Sequence, residues 1–67
     1  MLRVPSSIGE WLSDLGLSQY HDQFMANGWD HINFVYDMAD DDLVMIGVDS
    51  PHDRARILHS VALLKKD

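Results

Sequence analysis

Glycine residues mark the expected ends of the short helices in this sequence. Gly16, Gly28 and Gly47 each follow a run rich in apolar residues, at the position where glycine commonly ends a helix in a left-handed conformation. The stretch that begins at Pro51 contains no glycine, and proline is favoured at the first position of a helix. The sequence therefore predicts short helices up to residue 47 and one long C-terminal helix.

The first two predicted helices carry start signals. Ser7 is followed three residues later by Glu10, a pair that caps backbone N–H groups at a helix start, and this predicts a helix over about residues 7 to 15. Ser18 is the expected N-cap of a second helix. That helix should be short, because Asn27 stands before a glycine in a turn signal.

The second half of the chain is also predicted to be helical. Residues 29 to 36 contain crowded aromatic and β-branched side chains, but no second strand is available for pairing, so one helical turn and an irregular loop are expected. Residues 40 to 47 predict a short helix, since three leading aspartates suit a helix N-terminus. Ser50 as N-cap and Pro51 behind it predict a helix that runs to about Lys65. The expected fold class is all-α, with four short helices and one long helix.

Packing alone must hold this fold together, because 67 residues without a cysteine offer no disulfide or thiolate metal site. We expect one domain over residues 7–66, preceded by a leader or linker over residues 1–6. Apolar residues that recur every three or four positions are expected to face inward. They are Ile8, Trp11, Leu12, Leu15, Leu43, Ile46, Ile57, Val61 and Leu64.

The charge of the chain lies in two blocks, although its formal sum is −6. Residues 4 to 53 contain ten acidic side chains and no lysine or arginine, whereas residues 54 to 66 contain four basic side chains and no acid. The acidic block should repel nucleic-acid phosphates and attract a basic protein. No apolar run approaches the roughly 20 residues that span a bilayer, so membrane insertion is not expected. The lack of cysteine fits a reducing, cytoplasmic location.

The histidines and serines do not predict catalysis or a bound metal. His21, His31, His52 and His59 are spread over at least three elements, without thiols or a His-Glu-x-x-His pair. No Gly-x-Ser-x-Gly motif surrounds a serine, and so short a chain has little room for a substrate pocket. We therefore expect no enzyme activity, no cofactor and no metal site.

A series of short motifs covers most of the chain: Glu10-Trp11-Leu12, Leu15-Gly16-Leu17, Gln19-Tyr20, Phe24, Asn27-Gly28-Trp29-Asp30, Asp42-Leu43, Ile46-Gly47-Val48 and Arg56-Ile57-Leu58. In this order and spacing they resemble the sterile alpha motif (SAM) domain over about residues 7 to 64. The turn at residues 27–30 is similar to that in SAM domains of inositol-lipid phosphatases and ankyrin-repeat scaffold proteins that bind Eph receptor tails. The resemblance implies a five-helix bundle with a role in protein–protein interaction.

SAM domains associate through two surfaces, and the resemblance implies where both lie in this sequence. The acidic mid-loop surface corresponds to Trp29, Asp30, His31, Phe34, Asp37, Asp40, Asp41 and Asp42. The basic end-helix surface, around the start of the last helix, corresponds to Gly47, Ser50, His52, Arg54 and Arg56. The acidic block found from the charge pattern coincides with the mid-loop residues. Asp49 and Asp53 depart from the family pattern and dilute the basic surface.

Two functions are expected from these surfaces. The first is an adaptor or scaffold role in signalling, in which the mid-loop surface binds the SAM domain of another protein, such as an Eph receptor, with Trp29 and Phe34 as apolar anchors. The alternative is head-to-tail self-association into oligomers or filaments, against which Asp49 and Asp53 argue. RNA binding through the basic end is a third hypothesis, which the overall acidity disfavours.

Overall fold

The computed structural model describes residues 5–65, and every regular element in that range is helical. The elements are α1 (Ile8–Asp14), a 3₁₀ turn (Ser18–Tyr20) that continues directly into α2 (His21–Ala26), a longer 3₁₀ helix (Ile32–Asp37), α3 (Asp40–Ile46) and α4 (Pro51–Lys65). With residues 18–26 counted as one helix, four short helices precede one long helix. This confirms the predicted all-α, five-helix bundle. The domain boundaries predicted at residues 6 and 66 stay predictions.

The start of α1 is capped as the sequence predicts, with one difference. The Ser7 hydroxyl accepts a hydrogen bond from the Glu10 backbone N–H at 3.1 Å. The Glu10 carboxylate accepts from the backbone N–H of Ser6 at 2.8 Å, one residue before the N-cap. Gly16 follows the helix with a φ of 73°, in the left-handed region where a side chain is unfavourable. Local signals thus fix both ends of this helix.

The prediction that Ser18 caps the second helix is wrong. Ser18 lies inside the 3₁₀ turn, whose N-cap is Leu17, and no side chain caps that turn. The backbone N–H of Tyr20 donates to the Leu17 carbonyl at 3.1 Å, and the N–H of His21 donates to the Ser18 carbonyl. Because the turn and α2 form one continuous helical segment, α2 has no separate start for a hydroxyl to cap.

Trp11 lies at the centre of the hydrophobic core. Its side chain is 1% exposed, and its ring meets that of Phe24 edge to face with centroids 6.1 Å apart. The Trp11 indole N–H donates to the Ser60 hydroxyl at 2.7 Å, which links α1 to α4. Leu15 and Leu64, both predicted to face inward, pack at the edge of this core and are half-buried. The buried apolar residues are Ile8, Trp11, Leu12, Leu17, Phe24, Ile32, Val35, Met38, Leu43, Ile46, Val48, Ile57 and Val61.

Residues 32–37 are more regular than the single turn and loop that the sequence predicts. They form a 3₁₀ helix, which has three residues per turn. Ile32, Val35 and Met38 are spaced by three and are buried. Their burial on one side leaves the residues before each of them on the outer side, and these residues begin the mid-loop surface.

Candidate functional site

Three mid-loop residues share the outer side of the 3₁₀ helix. His31, Phe34 and Asp37 are spaced by three and are all exposed. The His31 and Phe34 rings lie with centroids 5.9 Å apart, and Phe34 is 51% exposed. The His31 Nδ1 accepts a hydrogen bond from the backbone N–H of Asn33 at 3.2 Å, so His31 also caps this helix. An aromatic pair therefore lies on the same side of this helix as a carboxylate.

Trp29 stands at the boundary between this surface and the core. It is half-buried and packs against the core cluster. Its backbone N–H donates to the Phe24 carbonyl at 2.9 Å, which fixes the chain after the Gly28 turn. Trp29 thus presents only part of its ring to a partner.

The five mid-loop aspartates have different surroundings. Asp30, Asp37 and Asp41 are exposed, and within residues 5–65 their side chains form no hydrogen bond or ion pair. Asp42 is half-buried and accepts from the backbone N–H of Ala39 at 2.9 Å, so it caps α3. Asp40 pairs with Arg54 at 3.0 Å. Three of the five carboxylates are therefore available to a partner without breaking an internal bond.

Two exposed apolar residues that the sequence did not single out lie beside these acids. Val44 and Met45 in α3 are 53% and 79% exposed. They lie three and four positions after Asp41, which places all three on one side of the helix. The buried partners Leu43 and Ile46 would have indicated this outer side from helical periodicity. The apolar area next to the mid-loop surface is thus larger than predicted.

The beginning of the end-helix surface is fixed by backbone contacts. Gly47 ends α3 with a φ of 104°, and the Gln23 side-chain amide donates to its carbonyl at 3.3 Å. Ser50 caps α4 as predicted, since its hydroxyl accepts from the backbone N–H of Asp53 at 3.2 Å. His52 is exposed in the first turn of α4. These residues shape the start of the helix and, apart from His52, offer few free polar groups.

Both end-helix arginines are bonded within the molecule. Arg54 pairs with Asp40 and also donates through Nη1 to the Val48 carbonyl at 2.8 Å. Arg56 donates through Nη2 to the Leu15 carbonyl at the end of α1. The Arg54 side chain is only 18% exposed, whereas Arg56 is exposed. Internal contacts therefore engage both arginines, and Arg54 is the less exposed of the two.

The Asp53 side chain also forms a bond within the molecule. Its carboxylate accepts a hydrogen bond from the Tyr20 hydroxyl at 2.6 Å, which ties α4 to the 3₁₀ turn. This hydrogen bond, together with desolvation and the negative charge of Asp53, raises the pKa of the Tyr20 phenol above its ordinary value. Asp53, which was predicted to dilute the basic surface, thus holds two elements together.

Three further features of residues 5–65 concern metal binding, ligand pockets and membrane insertion. Within residues 5–65, no three His, Asp or Glu side chains are grouped so that they could hold a metal ion. An open depression of about 350 Å³ lies between the end of α1 and α4, where Leu15, Arg56 and Leu63 line it. Over the same described residues, none of the helices has the length and apolarity needed to cross a bilayer.

Comparison with known proteins agrees with this fold. Residues 3–65 match the family model described as SAM domain (Sterile alpha motif). The chain is 38% identical over 65 residues to phosphatidylinositol 3,4,5-trisphosphate 5-phosphatase 2A of Danio rerio, a match that covers 97% of the chain and 5% of that protein. It is 37% identical over 65 residues to ankyrin repeat and SAM domain-containing protein 1A of Homo sapiens, with 94% and 6% covered. The chain thus corresponds to a small part of each of these relatives.

Proposed function

Because this chain belongs to the sterile alpha motif family, whose domains generally mediate protein–protein interactions, we propose that its mid-loop surface binds the SAM domain of another protein. The partner contributes a basic end-helix surface, and an Eph-receptor-like SAM domain is the first to test. The role is that of a cytoplasmic signalling adaptor or scaffold. The SAM domain itself is not catalytic.

One observation carries this proposal: three mid-loop carboxylates are exposed without internal partners, and one of them, Asp37, shares the outer side of the 3₁₀ helix with the exposed Phe34. Asp30, Asp37 and Asp41 can meet cationic side chains without losing any bond in the described part of the molecule. Phe34, which is 51% exposed, supplies apolar area for an anchor. Complementary charges then steer the encounter and fix the orientation of the partner.

The end-helix surface supports binding to another protein over self-association. A head-to-tail assembly needs free bases to meet the acids of a second copy. Arg54 and Arg56 both bind within the chain, so the mid-loop surface is the better exposed of the two. We expect a dissociation constant of micromolar order, and weaker binding as salt screens the exposed charges.

The test is a titration of the domain with a SAM domain that has a strongly basic end-helix surface, at low and at physiological ionic strength. Asp37→Lys combined with Asp41→Lys should weaken binding at least about tenfold, because each change replaces attraction by repulsion. The control is Asp22→Lys, at a fully exposed acid on α2 outside the mid-loop surface, and it changes the net charge by half as much.

A loss of binding free energy in the control equal to half of that in the double variant would show that net charge, and not this surface, governs binding. Sedimentation of the wild-type chain alone tests the alternative function, head-to-tail self-association. Growth to large species would favour self-assembly over the adaptor role.

A further inference from the structure

An acid of the mid-loop surface is bound to a base of the end-helix surface in the same molecule. Asp40, the first residue of α3, meets Arg54, in the first turn of α4, with Nε and Oδ1 3.0 Å apart. The Asp40 side chain is 57% exposed and that of Arg54 is 18% exposed. The pair therefore lies at the edge of the molecule, with the arginine on the inner side.

Arg54 is held from two directions. While Nε donates to Asp40, Nη1 donates to the carbonyl of Val48 at 2.8 Å, and Val48 itself is fully buried. Guanidinium donors have a fixed planar arrangement, so these two bonds set the orientation of the group. To meet a carboxylate on another molecule, Arg54 has to leave Asp40 or share its charge with it.

We propose that the Asp40–Arg54 ion pair is an intramolecular lock that determines partner choice. By holding Arg54, it withdraws one of the two arginines of the end-helix surface from the acids of a second copy. It thereby keeps the mid-loop surface for a different, more basic partner. This inference rests on the proposed function, because it assigns a specificity-determining pair to the same two surfaces.

The arrangement of the remaining charges favours this role. Arg56 donates to the Leu15 carbonyl, so both arginines of the end-helix surface have an internal bond while the lock is intact. When Asp40 loses its negative charge, Arg54 keeps its hydrogen bond to the Val48 carbonyl but no longer has a carboxylate partner. Three acids of a second copy, Asp30, Asp37 and Asp41, are then available to it.

A purely structural role for the pair gives a different expectation. If the bond only ties α3 to α4, its loss lowers stability and creates no new binding. A lock, in contrast, gives a gain of binding when it is opened, and that gain depends on the arginine. The two roles are separated by association measurements and not by stability alone.

The experiment compares the self-association of the wild-type domain, Asp40→Asn, Asp40→Asn with Arg54→Gln, and Asp22→Asn by sedimentation at fixed salt. Asp22→Asn removes one exposed negative charge elsewhere and is the matched control. We expect the association constant of Asp40→Asn to rise about fivefold above the control, the scale of one exposed ion pair. The added Arg54→Gln change should abolish this gain.

Two results would overturn the lock. Association of Asp40→Asn equal to that of Asp22→Asn would assign any gain to reduced net charge, and a gain that survives Arg54→Gln would exclude the arginine. A second measurement needs no variant: in nuclear magnetic resonance spectra of the wild-type domain, the Arg54 Nε–H should exchange with water more slowly than that of Arg56. Equal exchange would contradict a locked guanidinium.

A titration with the basic SAM domain, run in parallel, keeps this inference apart from the proposed function. If the wild-type chain binds that partner while Asp40→Asn gains no self-association, the lock is wrong and the adaptor role stands. If the wild-type chain fails to bind it, the adaptor role is wrong whatever Asp40→Asn does.

Discussion

The mid-loop and end-helix surfaces both contain charged side chains near the start of a helix, but these side chains differ in how many bonds they form within the molecule. On the mid-loop side, the 3₁₀ helix buries Ile32 and Val35 and leaves Phe34 and Asp37 outward. On the end-helix side, Arg54 bonds to groups of its own chain. The comparison shows that the number of charges in a segment does not give the number that a partner can reach.

The largest effect is expected from a change in the hydrophobic core, which supports both surfaces. Trp11→Ala should lower the free energy of unfolding by about 3 to 5 kcal/mol, because it opens a cavity beside Phe24 and removes the bond to Ser60. Urea denaturation followed by circular dichroism measures this. Trp29→Ala is the matched control and should cost less, since Trp29 is only half-buried. Equal losses would contradict the placement of Trp11 at the centre of the core.

An intermediate effect is expected from a change on the mid-loop surface. Phe34→Ala should weaken binding to a basic SAM domain about tenfold, as expected for an aromatic anchor, and should change stability by less than about 0.5 kcal/mol because the ring is exposed. Leu63→Ala is the control, since Leu63 is 41% exposed and lies on α4 outside both surfaces. Unchanged affinity in the Phe34 variant would remove this ring from the binding surface.

The smallest effect concerns the internal bonds of the end-helix side. Tyr20→Phe should lower the free energy of unfolding by about 0.5 to 1.5 kcal/mol at neutral pH, through loss of the hydrogen bond to Asp53. The pKa of Tyr20 is raised in the folded protein, so the stabilisation is complete below the unfolded value of 10.0 and is lost as pH rises through the folded value. Denaturation at neutral and alkaline pH measures both effects. A difference between variant and wild type that persists at high pH would contradict this assignment.

Predictions from local sequence signals succeeded where the relevant contact lies within a few residues. The Ser7 cap of α1 and the left-handed Gly16 and Gly47 were all predicted, because a cap or a helix end is decided by neighbouring residues. The Ser18 cap failed because the helix that it was expected to start is continuous with the preceding 3₁₀ turn. The 3₁₀ period at residues 32–37 was missed, since a short apolar run does not distinguish one helical geometry from another.

The sequence by itself determined the helical class, several helix ends, the SAM family and the acidic block, since these depend on residue type and local spacing. Only the tertiary structure decided which charges are free. Arg54 and Asp40 are 14 residues apart, Tyr20 and Asp53 are 33 apart, and the bond from Arg56 to α1 spans 41 positions. A side chain's charge is fixed by its identity, but whether a partner can reach it depends on which distant groups the packed core brings within bonding distance.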